Sequence, residues 1–225
     1  MKVLFLTVDD ETRASSRTRV YQFLPYLKHH GIEYDIVAWN GKIRSNNFFI
    51  REIVNYFYMT AKIIRALVNI RRYDVVFVQK ITLYRLLFLL KFLKIKYVYD
   101  IDDAIYTKHS AELSKIKQHY RVNAAIQFMK SAKHMIVELP STEEVARQNC
   151  DNVTVILGPI DIKRYQTSDK SQHKHVTIGW IGSHGNTYYL FVIQDVLEKL
   201  CKKYPNVQVK LIGTKGFHTN EHRSG

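Results

Sequence analysis

Asp74-Val75-Val76-Phe77-Val78-Gln79, an apolar helical pattern over Thr82–Leu93, and Tyr97-Val98-Tyr99-Asp100-Ile101 together decide the fold. The outer two stretches are short, apolar and rich in β-branched and aromatic residues, as strands buried on both faces are. Strand, helix and strand in that order pair in parallel through a right-handed crossover.

The alternation continues outward. Lys2–Val8 reads as a strand, and Ser15–His30 as a helix with Val20, Phe23, Leu24 and Leu27 on one face and Gly31 as its stop. Tyr34–Trp39 reads as a strand and Phe49–Ile70 as a long helix. Further on, Ala111–Ser131 and Ser141–Gln148 read as helices, and His134–Glu138 and Val153–Leu157 as strands. Val153–Leu157 is expected to be buried, which speaks against glycosylation of the Asn152-Val153-Thr154 sequon. The predicted class is α/β, a doubly wound, parallel, Rossmann-like sheet over residues 1–160. Such sheets bind ligands beyond the carboxyl ends of their strands. Residues 161–175 are polar and read as a linker. Val176–Ile181, Thr187–Tyr204 and Val207–Ile212 then read as strand, helix and strand, the opening of an incomplete second Rossmann-like domain over 176–225.

The chain of 225 residues is 46% hydrophobic and 24% charged, enough to bury a core. A net charge of +14 points to an anionic partner: nucleic acid, a membrane surface or a phosphorylated ligand. No helix-turn-helix, RNP or zinc-finger signature supports nucleic acid. Cys150 and Cys201 stand far apart, which argues against a disulfide framework or a zinc site. The amino-terminal apolar run is too short for a signal peptide, and Arg85, Lys91 and Lys94 interrupt the greasiest stretch, Ile81–Ile95. A cytoplasmic location is expected, with peripheral contact at the inner face of the membrane as an option.

Five segments can carry chemistry. The loop after the first strand holds Arg13, Ser15, Ser16, Arg17 and Arg19 and leads into a helix, a setting for an anion. Gln79 and Lys80 end a central strand. The glutamine and lysine there exclude a phospho-accepting receiver domain, which the Asp9-Asp10 pair would otherwise suggest. Asp100, Asp102 and Asp103 crowd the next strand end, where carboxylates need cations, hydroxyls or arginine. Ile178-Gly179-Trp180-Ile181-Gly182-Ser183 lets a ligand approach the backbone closely. Finally, Ile50, Ile53, Val54, Phe57, Tyr58, Ala61, Ile64, Leu67 and Val68 form one apolar stripe on the long helix. Lys42, Arg44, Arg51, Lys62, Arg65, Arg71 and Arg72 lie in or around it, against Glu52 alone. A basic amphipathic helix of this kind packs on the sheet or rests on an anionic membrane.

Arg17-Thr18-Arg19-Val20-Tyr21-Gln22-Phe23-Leu24-Pro25-Tyr26-Leu27, Val76–Lys80, Tyr99–Tyr106, Pro159–Tyr165, Ile178–Ser183 and Val209–Gly213 together resemble glycosyltransferases of the GT-B fold, specifically the retaining family four. The resemblance covers nearly the whole chain. It implies sugar transfer with retention from a nucleotide-diphosphate sugar to a glycan or lipid-linked acceptor, in polysaccharide or envelope assembly, with no metal and no other cofactor. Asp102 or Asp103 would contact the reacting hydroxyl. Ser16, Arg17, Gln79, Lys80 and Asp100 would line the acceptor side, and Gly182 and Ser183 would approach the donor phosphates.

Two departures stand out. Val137-Glu138-Leu139-Pro140-Ser141 replaces the family's Gly-Asn element, and no two glutamates stand eight positions apart. Most of the donor pocket is therefore expected to lie outside this sequence, supplied by another chain or lost, with weak or no activity in this chain alone. The alternative is a non-catalytic Rossmann-like module that binds an anionic partner.

Overall fold

The computed structural model describes residues 1–39, 48–107, 115–158, 160, 162, 175–182 and 186–214, with backbone alone at 48–53, 55 and 59. The chain divides into two compact units, Met1–Asp161 and Ile162–Gly225.

Unit 1 is a parallel sheet of six strands in the order β2-β1-β3-β4-β5-β6. The strands are β1 (Lys2–Thr7), β2 (Glu33–Ala38), β3 (Val75–Gln79), β4 (Tyr97–Ile101), β5 (His134–Val137) and β6 (Val153–Val155). Strand order reverses between β1 and β3, which makes their carboxyl ends the topological switch point. The helices are α1 (Ala14–Arg19), α2 (Leu24–His29), α3 (Phe48–Val68), α4 (Tyr84–Phe92), α5 (Lys115–Ser131) and α6 (Pro140–Arg147).

Strand alternation sorts the core into two layers. Leu4, Leu6, Val76, Val78, Tyr97, Tyr99, Ile101, Met135 and Val137 meet α3, α4, α5 and α6 in the larger one. Phe128 of α5 is fully buried there, stacked 5.2 Å from the Tyr99 ring and edge-on to Tyr97. On the other face Val3 and Phe5 of β1 pack with Val20 against a smaller cluster from α2, β2 and β3.

Four expectations from the sequence need correction. Ser15–His30 is not one helix. It breaks into α1, a 3₁₀ turn at Tyr21–Phe23, and α2. In an unbroken helix Pro25 would lack its amide bond to Tyr21 and clash with that carbonyl, whereas in the first turn of α2 its missing N–H costs nothing. The buried stripe of α3 is Ile63, Ala66 and Leu67, continued by Ile70, while Val54, Phe57, Tyr58, Ile64 and Val68 are exposed. Of the expected stripe, Leu67 packs inward, and the side chains of Ile50 and Ile53 lie outside the described residues. β6 is half-buried with Thr154 exposed, because it is the edge of the sheet rather than a core strand.

Unit 2 pairs β7 (Val176–Ile181) in parallel with β8 (Val207–Ile212). The expected helix Thr187–Tyr204 is two pieces, α7 (Tyr188–Phe191) and α8 (Gln194–Lys203). The β-branched pair Val192-Ile193 forms the turn between them. Gly213 has φ +85, and a Cβ there would overlap the Gly182 carbonyl oxygen. The two strand ends thus meet glycine to glycine. The expected linker falls largely outside the described residues.

Phe128→Ala should cost about 3–5 kcal/mol in urea unfolding, because it empties a fully buried aromatic site between two tyrosines.

Candidate functional site

Parallel register aligns Thr7, Gln79 and Asp100 in one row across the carboxyl ends of β1, β3 and β4. All three are polar and buried. A polar group in that position needs a partner, and α1 supplies most of them. Gln79 accepts from the Val8 amide at 3.1 Å and from Ser16 Oγ at 3.3 Å, and it donates to Ser15 Oγ at 2.8 Å. The Val8 N–H can only donate, so the orientation of the Gln79 amide follows from the chain itself.

Asp100 is held by Arg19, which donates through Nε at 3.1 and 3.2 Å and through Nη2 at 2.5 Å. Arg19 Nη1 reaches the Ile156 carbonyl at 2.7 Å. The two side chains are 3% and 1% exposed. Burial alone would lower the Arg19 pKa, but the hydrogen bond and charge of Asp100 outweigh it and raise it. Burial pushes Asp100 up to about 6 against the pull of Arg19, and the charges of Asp102 and Glu138 add to the rise. A cavity of about 340 Å³ adjoins this pair, lined by Phe5, Leu27, Phe77, Ile136 and Ile156.

Above the row lies a second cluster. Lys80, the residue after β3, has φ +57, and its amide donates to the Asp100 carbonyl at 2.9 Å. A left-handed non-glycine residue costs of order 1 kcal/mol or more and persists where its surroundings hold it. Its ammonium lies 2.9 Å from Asp102 Oδ1 and also pairs with Asp103. Asp102 is 11% exposed and Asp103 70%. Asp102 Oδ1 is buried and has a charge partner but no aligned hydrogen-bond donor. Burial pushes Asp102 up, yet the Lys80 charge and the Ser15 hydroxyl outweigh it and hold the carboxyl below its ordinary value.

The structure therefore gathers Ser16, Gln79, Lys80, Asp100, Asp102 and Asp103 at one strand edge. Ser16, Gln79 and Asp100 are buried and partnered within the chain, while Lys80 and the two later carboxylates reach the surface. Arg17 points elsewhere, donating to the carbonyls of Glu11 at 3.1 Å and Thr12 at 3.3 Å. Gly182 lies in unit 2, and Ser183 is outside the described residues. Thr7 is not among the residues the sequence singles out, and Arg19, named there only as part of the basic loop, is given no place of its own in the site. The signal for Arg19 was Asp100 itself, a carboxylate inside an apolar strand, with Arg19 three positions after Ser16 on a short helix. Glu138 also belongs to this edge, accepting from the Gly158 amide at 3.0 Å.

No family model matches the sequence, and no curated protein matches it as a relative. Solved structures that share its fold include two glycosyltransferase-type neighbours. LpCGTa in complex with UDP is 8% identical, with a TM-score of 0.51 over 97% of this chain and 71% of its own. The glycotransferase of kitacinnamycin is 13% identical, with a TM-score of 0.52 over 100% of this chain and 68% of its own. The fold is the Rossmann-like α/β type of GT-B structures.

Arg19→Met should cost about 3–5 kcal/mol at neutral pH in urea unfolding, and Arg19→Met/Asp100→Leu should recover most of it, since the loss comes from a stranded buried charge. Lys80→Met should cost roughly 1–3 kcal/mol at neutral pH, because it strips a half-buried carboxylate of its cation. Asp102 sits below its ordinary pKa in the folded protein, so its contribution is present above the aspartate range and lost as pH falls through it. The stability gap between the two proteins should thus close in acid, as read from unfolding curves at stepped pH.

Proposed function

We propose that this chain is a glycosyltransferase that moves a sugar from a nucleotide-diphosphate sugar to a hydroxyl of a glycan or lipid-linked acceptor. Asp102 carries the proposal. Its carboxylate, held ionised by the Lys80 ammonium 2.9 Å away and partly exposed at the strand end, suits the hydroxyl of an incoming acceptor. Asp103, largely exposed beside it, gives that hydroxyl a second acceptor. The cluster stands near the switch point, where doubly wound sheets take ligands. The fold it shares with two glycosyltransferases, one solved with UDP, supports the same reading.

In the reaction the acceptor oxygen bonds to the anomeric carbon as that carbon's bond to the diphosphate oxygen breaks. The nucleoside diphosphate leaves with the bonding electrons, and the hydroxyl proton passes to a carboxylate or to the departing diphosphate. Asp102 and Asp103 would orient the hydroxyl, and Lys80 would keep Asp102 ionised. In unit 2, Gly182 and Ser183 would approach the donor phosphates. Retention at the anomeric carbon and a role in polysaccharide assembly rest on the sequence resemblance.

Titration calorimetry of the chain with UDP, GDP and UDP-sugars should show saturable binding of at least one. A folded, monodisperse protein that binds none of them sinks the proposal. Asp102→Asn should slow release of nucleotide from the bound sugar donor about a hundredfold while leaving nucleotide affinity unchanged. Equal turnover by this variant would remove Asp102 from the mechanism.

A further inference from the structure

α3 has more apolar surface than the fold uses. Ile63, Ala66 and Leu67 are buried against the sheet, while Phe57 (67% exposed), Ile64 and Val68 (72% exposed) face outward. α4 behaves alike. Leu86, Leu87 and Leu90 pack inward, while Phe88 (66% exposed) and Phe92 (72% exposed) stack on each other at the surface, 6.2 Å apart. A helix that is apolar all round belongs in a core or against another apolar phase.

These two outer faces are one surface. Leu89 lines two neighbouring grooves between the helices. One is of about 390 Å³ with Thr60, Ile63 and Phe88, and the other is of about 430 Å³ with Ile64, Val68, Arg71 and Leu93. Arg85 ties the helices together, with its guanidinium 3.9 Å from the Tyr56 ring centre and its Nη1 donating to Thr60 Oγ1 at 2.9 Å.

The charge around the surface has one sign. No Asp or Glu occurs between Ile53 and Tyr73 or between Lys80 and Tyr99, so α4 carries no acid and α3 carries only Glu52, near its amino end. Arg65, Arg71, Arg72, Lys91, Lys94 and Lys96 are all exposed there. A protein partner with an apolar face would be matched by the rings alone. The unbroken cationic surround matches an apolar phase with an anionic skin. We propose that the joint α3–α4 face docks on the surface of a bilayer containing anionic lipid, with Phe57, Ile64, Val68, Phe88 and Phe92 entering the headgroup region and the basic residues meeting lipid phosphates. Among the described residues no helix is long and apolar enough to cross a membrane, so this is contact from one side. The proposal is independent of the transferase reading.

Cosedimentation of the whole chain with vesicles of phosphatidylcholine, with and without phosphatidylglycerol, tests it. The protein should pellet with the anionic vesicles alone, and added salt should release it. Phe88→Ser/Phe92→Ser should weaken partitioning about tenfold or more through lost apolar burial. Arg71→Glu/Lys91→Glu should weaken it roughly fivefold per reversed charge. All four positions are exposed, so thermal melts and nucleotide titrations should match those of the unaltered chain. Pelleting that ignores phosphatidylglycerol, no pelleting, or variants that pellet undiminished would overturn the proposal. So would a dimer in light scattering that Phe88→Ser/Phe92→Ser dissolves, which would give the face to a second copy of the chain.

Discussion

Arg19 and Asp100 face each other above the carboxyl end of β4, both almost wholly removed from solvent. Burying a single ion costs several kcal/mol, and the pair is tolerated because the geometry is bidentate and a third donor has its own acceptor. The requirement propagates. Arg19 ends α1, so α1 must lie over the strand ends for the guanidinium to arrive. Its third contact is the Ile156 carbonyl, so the chain leaving β6 is held to the same point. One strand over, Gln79 repeats the arrangement with neutral groups, joining Val8 to Ser15 and Ser16. A helix of six residues has little stability of its own. Here side-chain bonds from below position it.

That buried layer is what the reactive layer stands on. Lys80 takes an unfavourable backbone conformation and keeps it because its amide is fastened to Asp100 and its ammonium to Asp102 and Asp103. Strain of this size persists where neighbours over-determine a conformation, and such places are commonly sites. The same strand end holds one carboxylate pushed up by burial and another pulled down by a cation, a few residues apart. Asp100 is given to structure and Asp102 is left ionised beside a cation, a division set by environment rather than by residue type.

The sequence made the architecture legible because a parallel sheet writes itself in period and composition: apolar runs of strand length, helical spacing between them, Gly31 at a helix end. Strand-end residues were legible for the same reason, since Gln79, Lys80 and Asp100–Asp103 follow directly from where the apolar runs stop. Partnerships across the chain were not. The sequence offers the basic first loop as a salt-bridge partner for the Asp100–Asp103 carboxylates, but no local pattern encodes that Arg19 is the residue that reaches Asp100 over 81 positions. Pro25 announced a break that the apolar spacing around it disguised. Gly182 reads from sequence as space for a ligand, whereas the Trp180 ring occupies the place a Cβ would take there.

The sequence leaves the α3 stripe either on the sheet or on an anionic membrane, and the sheet does not take most of it. Helical periodicity finds the apolar stripe, and the usual inference is that the stripe found is the stripe buried. A helix with apolar residues on more than one side offers two stripes, and only tertiary packing chooses between them. Here the sheet took Ile63, Ala66 and Leu67 and left the broader, more aromatic side outside. The same holds for charge. A net +14 spread evenly would be a soluble surface and little else. Cations collected on two adjacent helices whose one acid is Glu52, around apolar rings that the fold does not need, set up a local field beside a local apolar surface. Neither folding nor solubility accounts for that coincidence, since folding asks for one buried stripe and solubility is served by mixed charge. It is accounted for by an interface that is apolar inside and anionic at its edge.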